Sequence, residues 1–312
     1  MLTIIIRRIL LAIPTMIALT ALLFFSLTAL LGSPAAIMLG QDASAEAIAA
    51  INARYGFDRP LYLQYFDWIT SAIRGDFGRS HVTQQSVVSA VLPSIAVSLE
   101  LAVLAMMLAA LTAVVTNTVP AGRRIVGPFV VGANLIAITV PNFMLGISLI
   151  FFFSVGLGWL PTTGWTPWSD GALVHLKHLI LPVLTLSAYY FGVFSIIYRA
   201  EYRDVEKRLF IQAARAKGIS RSRVAFRHAL PNAILPVITI IGLSMGQLAG
   251  GAVVTETVFS MPGIGRLLVA SIASHDFPVM LAIAMIIVVG VVLMNLLADI
   301  AYTIVNPTIR LG

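Results

Sequence analysis

A chain of 312 residues that is 59% hydrophobic and only 11% charged cannot cover itself with polar surface in water, because soluble domains carry about 25% charged residues; membrane residence is the first expectation. The net charge of +7 is compatible with a nucleic-acid partner, but its placement along the chain decides its meaning. There is no cysteine, which excludes disulfides, thiolate metal sites and cysteine nucleophiles.

A bilayer core needs about 20 apolar residues in helical form. Ile9–Leu31 is the first such run, uncharged and preceded by Arg7 and Arg8. It exceeds the roughly 7–15 apolar residues of a signal peptide, so an uncleaved span is expected. Residues 32–92 are too polar to span. Asp42 or Ser44 is placed to cap a helix ending near Gly56, with Arg54 in its last turn. Pro60 suits the first position of the next helix, in which Leu61, Tyr65, Trp68, Ile69 and Ala72 recur at helical spacing. "RGDFGRS" reads as a turn. This region is expected to form a small external cap that either meets a soluble partner or covers the mouth of a bundle. Pro93–Val115, Ile125–Val155, Leu179–Tyr198, Pro231–Phe259 and Pro278–Val305 are the further candidate spans, making six in all. The third is long enough to include an interfacial piece.

Short connections set orientation. Arg7 and Arg8 lie at the N-terminal tip, Arg123 and Arg124 between spans two and three, and Arg310 at the C-terminus. The fourth connection holds Arg199, Arg203, Lys207, Arg208, Arg215, Lys217, Arg221, Arg223 and Arg227. On the other side stand only Lys177 and Arg266 in the third and fifth connections. Both termini and the basic connection are therefore expected in the cytoplasm, and the charge is a topological bias that removes the need for a nucleic-acid explanation. Burying the basic connection would cost on the order of 20–30 kcal/mol. Trp159, Trp165 and Trp168 fall in the opposite loop, as an interfacial aromatic belt would.

The basic connection contains "FIQAARAKGISRSRVAFRHALPNAILP". Before Gly218, residues Tyr202, Val205, Leu209, Ala213 and Ala216 follow 3–4 spacing, with Asp204, Arg208 and Arg215 opposite; this predicts an amphipathic helix. Gly218 is placed to end it, and Ser220 to cap a second short helix running toward Leu230. Pro231 and Pro236 mark re-entry into the membrane. Two helices meeting at a glycine form a blunt knob, with Ala213 and Ala214 permitting close approach and arginines offering bidentate contacts to acidic groups. An ordinary positive-inside loop is the bland alternative; the ordered helices favour a docking element.

Other patterns carry less. A P-loop needs lysine followed by serine or threonine, yet Lys177, Lys207 and Lys217 precede His178, Arg208 and Gly218; any ATPase must be another chain. "GLSMG" around Ser244 matches G-x-S-x-G but lies in an apolar run without the strand–turn–helix context. Gly242, Gly246 and Gly250 instead read as a small-xxx-small packing face. His175 and His178 have metal-ligand spacing, but only Asp170 is near in sequence, so interfacial polar roles are expected. Glu100, Glu256 and Asp299, expensive within spans, either line a pathway or pair within the bundle, with a structural role expected for Asp299 alongside Asn295. Asn134, Asn142 and Gln247 are further pathway candidates.

"QAARAKG" followed by "HALPNAILP" resembles the EAA signature of permease subunits of binding-protein-dependent ABC importers. "RRILLAIPT", "YGFDRPLYLQYFDWI", "GDFGRS", "LGWLPTTGW", "HLILPVLTLS", "GGAVVTETVFSMPGIGRLL" and "NLLADIAYTIVNPTIR" look like its dipeptide/oligopeptide (nickel) branch, over nearly the whole chain. Gln212 replaces the motif's glutamate, His228 an aliphatic residue, and "LGSP" the usual "PGDP". The resemblance implies an all-α, type I importer permease of six transmembrane helices. It implies one transmembrane permease domain over 1–312, with the external cap at 32–92 and a coupling-helix loop at 199–230. It places the chain in a bacterial inner membrane, beside a homologous second permease, two ATP-binding subunits that hold ATP and Mg, and an external substrate-binding protein. Gln212, Ala213, Ala214, Arg215, Lys217, Gly218, Ser220, Arg221, Arg223 and His228 would dock an ATP-binding subunit. No catalysis and no cofactor are implied for this chain. The cargo would be peptides or peptide-like solutes; nickel chelates, opines and glutathione are alternatives within the family. A self-sufficient secondary transporter is the alternative of another class, although no internal repeat or paired acids support it.

Overall fold

The computed structural model describes residues 2–31, 35, 39, 44–118 and 126–305. Asp42, Arg123, Arg124, Arg310 and the "LGSP" replacement lie outside the described residues, as do the side chains of Arg7, Gln247 and Asp299. The described chain is helical: α1 (Leu2–Leu31), α2 (Ala45–Tyr55), α3 (Leu61–Ile73), α4 (Val87–Thr118), α5 (Val126–Thr139) and α6 (Asn142–Leu149), which continues as a π-helix over Ile150–Gly156. Then come α7 (Ala172–Lys207), α8 (Leu209–Ala216), α9 (Arg221–Arg223), π-helical Val224–Ala229, α10 (Leu230–Ala233), α11 (Leu235–Val258), α12 (Ile264–Ala273) and α13 (Phe277–Val305).

Among the described residues, four helices are long and apolar enough to cross a membrane, and up to six spans result if each of two bent pairs counts as one. The third predicted span is one of those pairs, and it is not a straight helix. Its arms meet at 112° between Thr139 and Asn142. Pro141 is the cause: the residue before a proline is pushed out of the helical region, and Pro141 itself is extended (φ −58°, ψ 137°) at the start of α6. With 14 residues, α5 is about 21 Å long, short of a bilayer core of about 30 Å. The fifth span bends by 47° where α10 meets α11. The fourth runs on as a 36-residue helix. α12, an amphipathic helix in the fifth connection, had no counterpart among the sequence expectations.

The chain groups into two compact units, Met1–Val97 with Gly263–Leu293, and Ser98–Pro262 with Met294–Gly312. In the first, Ser44 caps α2 by accepting the Ala47 N–H at 3.2 Å, and Gly56 ends it in the left-handed conformation (φ 71°). Pro60 stands just before α3 rather than at its first position. The apolar face of α3 packs on α1: Phe24 lies 5.6 Å from the rings of Tyr65 and Trp68, over Phe277 and Leu281. The loop after α3 is tied down by Asp276, a buried carboxylate that accepts the Ser80 hydroxyl and the His81 N–H. Ser80, His81 and Asp276 do not form a catalytic triad, because serine bonds the carboxylate directly with no imidazole between them.

Burial holds the His81 imidazole below the usual histidine range, against an opposing pull from Asp276. The unfolded chain thus binds more protons than the folded one around the ordinary histidine pKa of about 6.5, so stability rises with pH there. Unfolding midpoints are expected to be flat above about pH 7, to fall as pH drops through about 6.5, and to level off below the lowered native value. His81→Gln should flatten that slope in a thermal melt series.

In the second unit α7 is the axis, contacting α5, α6 and α11. Glycines permit the closest approaches. A Cβ on Gly192 would stand 2.6 Å from Ile138 and 3.1 Å from the Asn134 carbonyl oxygen, and one on Gly242 only 2.4 Å from the Ala298 Cβ. Gly246 is half-buried, whereas nothing lies within 4 Å of a Cβ at Gly250. Gly242→Leu should destabilise by about 1–3 kcal/mol through overpacking. Ser244, buried mid-helix in α11, should tolerate alanine within about 1 kcal/mol. Thermal unfolding in detergent checks both, and loss of function in Ser244→Ala with an unchanged melt would revive the nucleophile reading.

Candidate functional site

The basic segment after α7 folds as an elbow. Arg208 is extended (φ −66°, ψ 145°) and breaks the helix between α7 and α8. α8 then ends in a Schellman motif: Gly218 takes φ 76°, its N–H donates to the Arg215 carbonyl at 3.0 Å, and the Ile219 N–H reaches back to Ala214 at 3.3 Å. Ser220 occupies the position before α9, but its side chain makes no capping bond there; only its carbonyl enters the helix, accepting from Val224 at 3.0 Å.

The break at Arg208 resets the helical phase, which changes which faces are buried. The stripe predicted from Tyr202 through Ala216 does not continue. Tyr202 and Val205 are buried, but Leu209 is 81% exposed and Ala213 is also exposed. The inward residues of α8 are Ile211 and Ala214. Ala214 therefore belongs to the floor of the elbow, not to an accessible surface. On the second limb Val224, Ala225 and Ala229 face inward, His228 is half-buried, and Arg221, Arg223, Phe226 and Arg227 are exposed. Gln212 is exposed and donates to the Lys207 carbonyl at 3.0 Å. Arg215 is held back onto α7, donating to Glu206 at 2.7 Å. Leu209, Phe210 and Phe226, the apolar members of the outer surface, escaped sequence reading. Continuous 3–4 spacing had placed Leu209 inside, and only the extended Arg208 turns it out.

The base of the elbow is braced. Asn117 of α4 donates to Ser195 at 2.8 Å, and Thr118 meets the buried Tyr198 hydroxyl at 2.5 Å. A cavity of about 590 Å³ lies beside the brace, lined in part by Thr118, Tyr202, Glu206, Arg215 and Gly218. Buried bonds thus join α4 to α7, and the exposed Arg215–Glu206 pair ties the elbow to the end of α7.

The acidic residues proposed for a pathway are engaged in bonds. Glu256 is fully buried and accepts from Ser98 at 2.5 Å. Glu100 accepts from the Trp168 indole and faces His175 Nε2, each at 2.9 Å. His175 is fully buried, with Nδ1 at 2.5 Å from the Thr166 carbonyl and the Trp168 ring 4.0 Å away. A carbonyl only accepts, so Nδ1 donates to Thr166 and Nε2 faces the Glu100 carboxyl. With both nitrogens engaged, His175 is not placed as a metal ligand. Trp168, expected only as an interfacial anchor, is part of a clasp. Asn134 is buried, and its Oδ1 has no partner among the described residues. Asn142 opens α6 half-buried.

The described residues form a helical fold with several membrane-crossing helices and a braced basic elbow. Residues 1–102 match the model "Binding-prot-dependent transport system membrane comp, N-term", and residues 105–311 match "Binding-protein-dependent transport system inner membrane component". The chain belongs to this family, the permeases of ABC importers. It is 38% identical to the glutathione transport system permease protein GsiC of Salmonella choleraesuis (strain SC-B67), and 37% identical to those of Salmonella typhimurium (strain LT2) and Escherichia coli (strain K12). Each comparison covers 99% of both chains.

Proposed function

We propose that the elbow is where an ATP-binding subunit grips this permease, and that ATP-driven closure of two such subunits rocks the helices braced to it. The observation that carries this reading is the Gly218 Schellman turn, which presents Leu209, Phe210, Arg221, Arg223 and Arg227 outward on an ordered frame. Exposed large apolar groups ringed by arginine are what a protein partner buries. Gln212, Ala213, Lys217, Ser220 and His228 complete the surface, and Arg215 and Ala214 set its shape. The termini and elbow lie in the cytoplasm, and residues 32–92 on the far side, where the substrate-binding protein docks. The whole chain acts as one permease domain, lining half a path with a homologous second permease. Asn134 and Asn142 line it, Glu100 and Glu256 hold it open from behind, and the half-buried Gly246 serves helix packing. The cargo is a peptide or peptide-like solute, with glutathione favoured because the similar proteins are glutathione transport permeases.

The absence of native cysteine makes the test clean. Lys217→Cys, in the assembled importer, should cross-link to an ATP-binding subunit and react with membrane-impermeant maleimide only from the cytoplasmic side. Labelling from outside, or cross-links that form only with other chains, would defeat the proposal.

A further inference from the structure

The first unit contains a cavity of about 480 Å³ between the loop after α3, the start of α13 and the connection from α2 to α3. Its size falls in the small-molecule range of roughly 300–1,000 Å³. Phe24, Phe57, Trp68 and Phe77 give it an aromatic wall. The polar groups around it are mostly satisfied within the chain. Arg59 donates to Asp67 at 2.6 Å. Gln64 donates to the Phe57 and Arg59 carbonyls at 3.0 and 2.7 Å. Asp76 accepts the Gly78 N–H at 2.9 Å. Arg79 differs: its side chain is exposed beside the cavity and makes no hydrogen bond or ion pair among the described residues.

Arg79 is nevertheless held on a rigid support. Its backbone bridges to Ser86, and the next residue, Ser80, is anchored by the buried Asp276. The same hydroxyl accepts the Val82 and Thr83 N–H groups at 3.2 and 2.9 Å. Gln84, also on the cavity wall, is kept in the left-handed region at φ 59°, a conformation of the kind that persists only where its surroundings over-determine it. A guanidinium carried on a fixed backbone, set at the rim of an aromatic hollow, is complementary to a carboxylate carried on an apolar body.

We propose that this cavity is a binding subsite for a small carboxylate-bearing, peptide-like solute, with Arg79 as the anchor of the carboxylate. The proposal rests on the peptide-type cargo and on the outward position of residues 32–92 argued above. It gives the permease a solute contact of its own, before the transmembrane path.

The full chain in phosphatidylcholine nanodiscs, without other subunits, should bind radiolabelled alanyl-phenylalanine saturably at one per chain in equilibrium dialysis. Its C-terminal amide should bind about tenfold more weakly, as should the free dipeptide to Arg79→Ala, with Arg79→Lys intermediate. Arg74→Ala, an exposed arginine on the same loop but off the cavity wall, should bind as wild type, and unchanged melts would show the variants folded. Equal binding of acid and amide, equal effects at Arg74 and Arg79, or no saturable binding would overturn the assignment. So would displacement of the peptide by phosphatidylglycerol in the nanodisc, which would mark a lipid-phosphate site. None of these outcomes touches the Lys217→Cys cross-link, so failure here and failure of the docking reading are separable.

Discussion

Gly218→Pro is expected to cut ATP-driven uptake by roughly a hundredfold and to release the ATP-binding subunits during purification, with the chain still inserted in the membrane. Proline is confined to φ near −65°, whereas Gly218 sits at +76°. Proline also lacks the N–H that closes the bond to Arg215. The two losses amount to about 3 kcal/mol against the bent form, which corresponds to about a hundredfold in an equilibrium. Gly218→Ala separates shape from bulk. Nothing lies within 4 Å of a Cβ there, so only the left-handed backbone is penalised, by about 1–2 kcal/mol, and a partial, roughly tenfold defect should result. Arg215→Glu sets a second carboxylate against Glu206 and should loosen α8 from α7, weakening assembly without melting the bundle. Co-purification and uptake measured on the same preparations would decide; full assembly and coupling in Gly218→Pro would remove the elbow from the mechanism.

The second large effect is expected at His175. Leucine there removes both donors, leaving the Thr166 carbonyl and one side of Glu100 unsatisfied in a site where the histidine is fully buried. An unpaired buried polar group costs about 1–3 kcal/mol, so destabilisation of about 2 kcal/mol or more is expected in denaturant unfolding of the solubilised chain. Glu100→Gln keeps an acceptor for the Trp168 indole and a polar partner for His175, and should be milder. In a double-mutant cycle the pair should show coupling of about 0.5–3 kcal/mol. Strict additivity would mean that the two residues are neighbours without an energetic interaction.

Much of this protein is written in local pattern. The apolar runs, the Ser44 and Gly56 helix ends, the spacing of the α3 face and the glycine-ended elbow follow from residues within a few positions of each other, where backbone sterics and capping act. Overlooked features also had local causes, hidden by a break in periodicity: Pro141 turns one predicted span into two arms, and the extended Arg208 exposes Leu209.

What the sequence by itself determined is the membrane-spanning helical class, the bias of positive charge to one set of connections, the absence of a P-loop lysine pattern, and the position of the elbow. The tertiary structure alone decided that Glu100 meets His175 and Trp168, that Asp276 secures Ser80, that Glu256 pairs with Ser98, and that Arg79, without a side-chain partner among the described residues, stands beside an aromatic hollow. Those partners are separated by tens to hundreds of residues, and hydrogen bonds form only at about 3 Å. Side-chain chemistry announces that a buried carboxylate needs a donor, but only the packed helices bring a particular donor within reach.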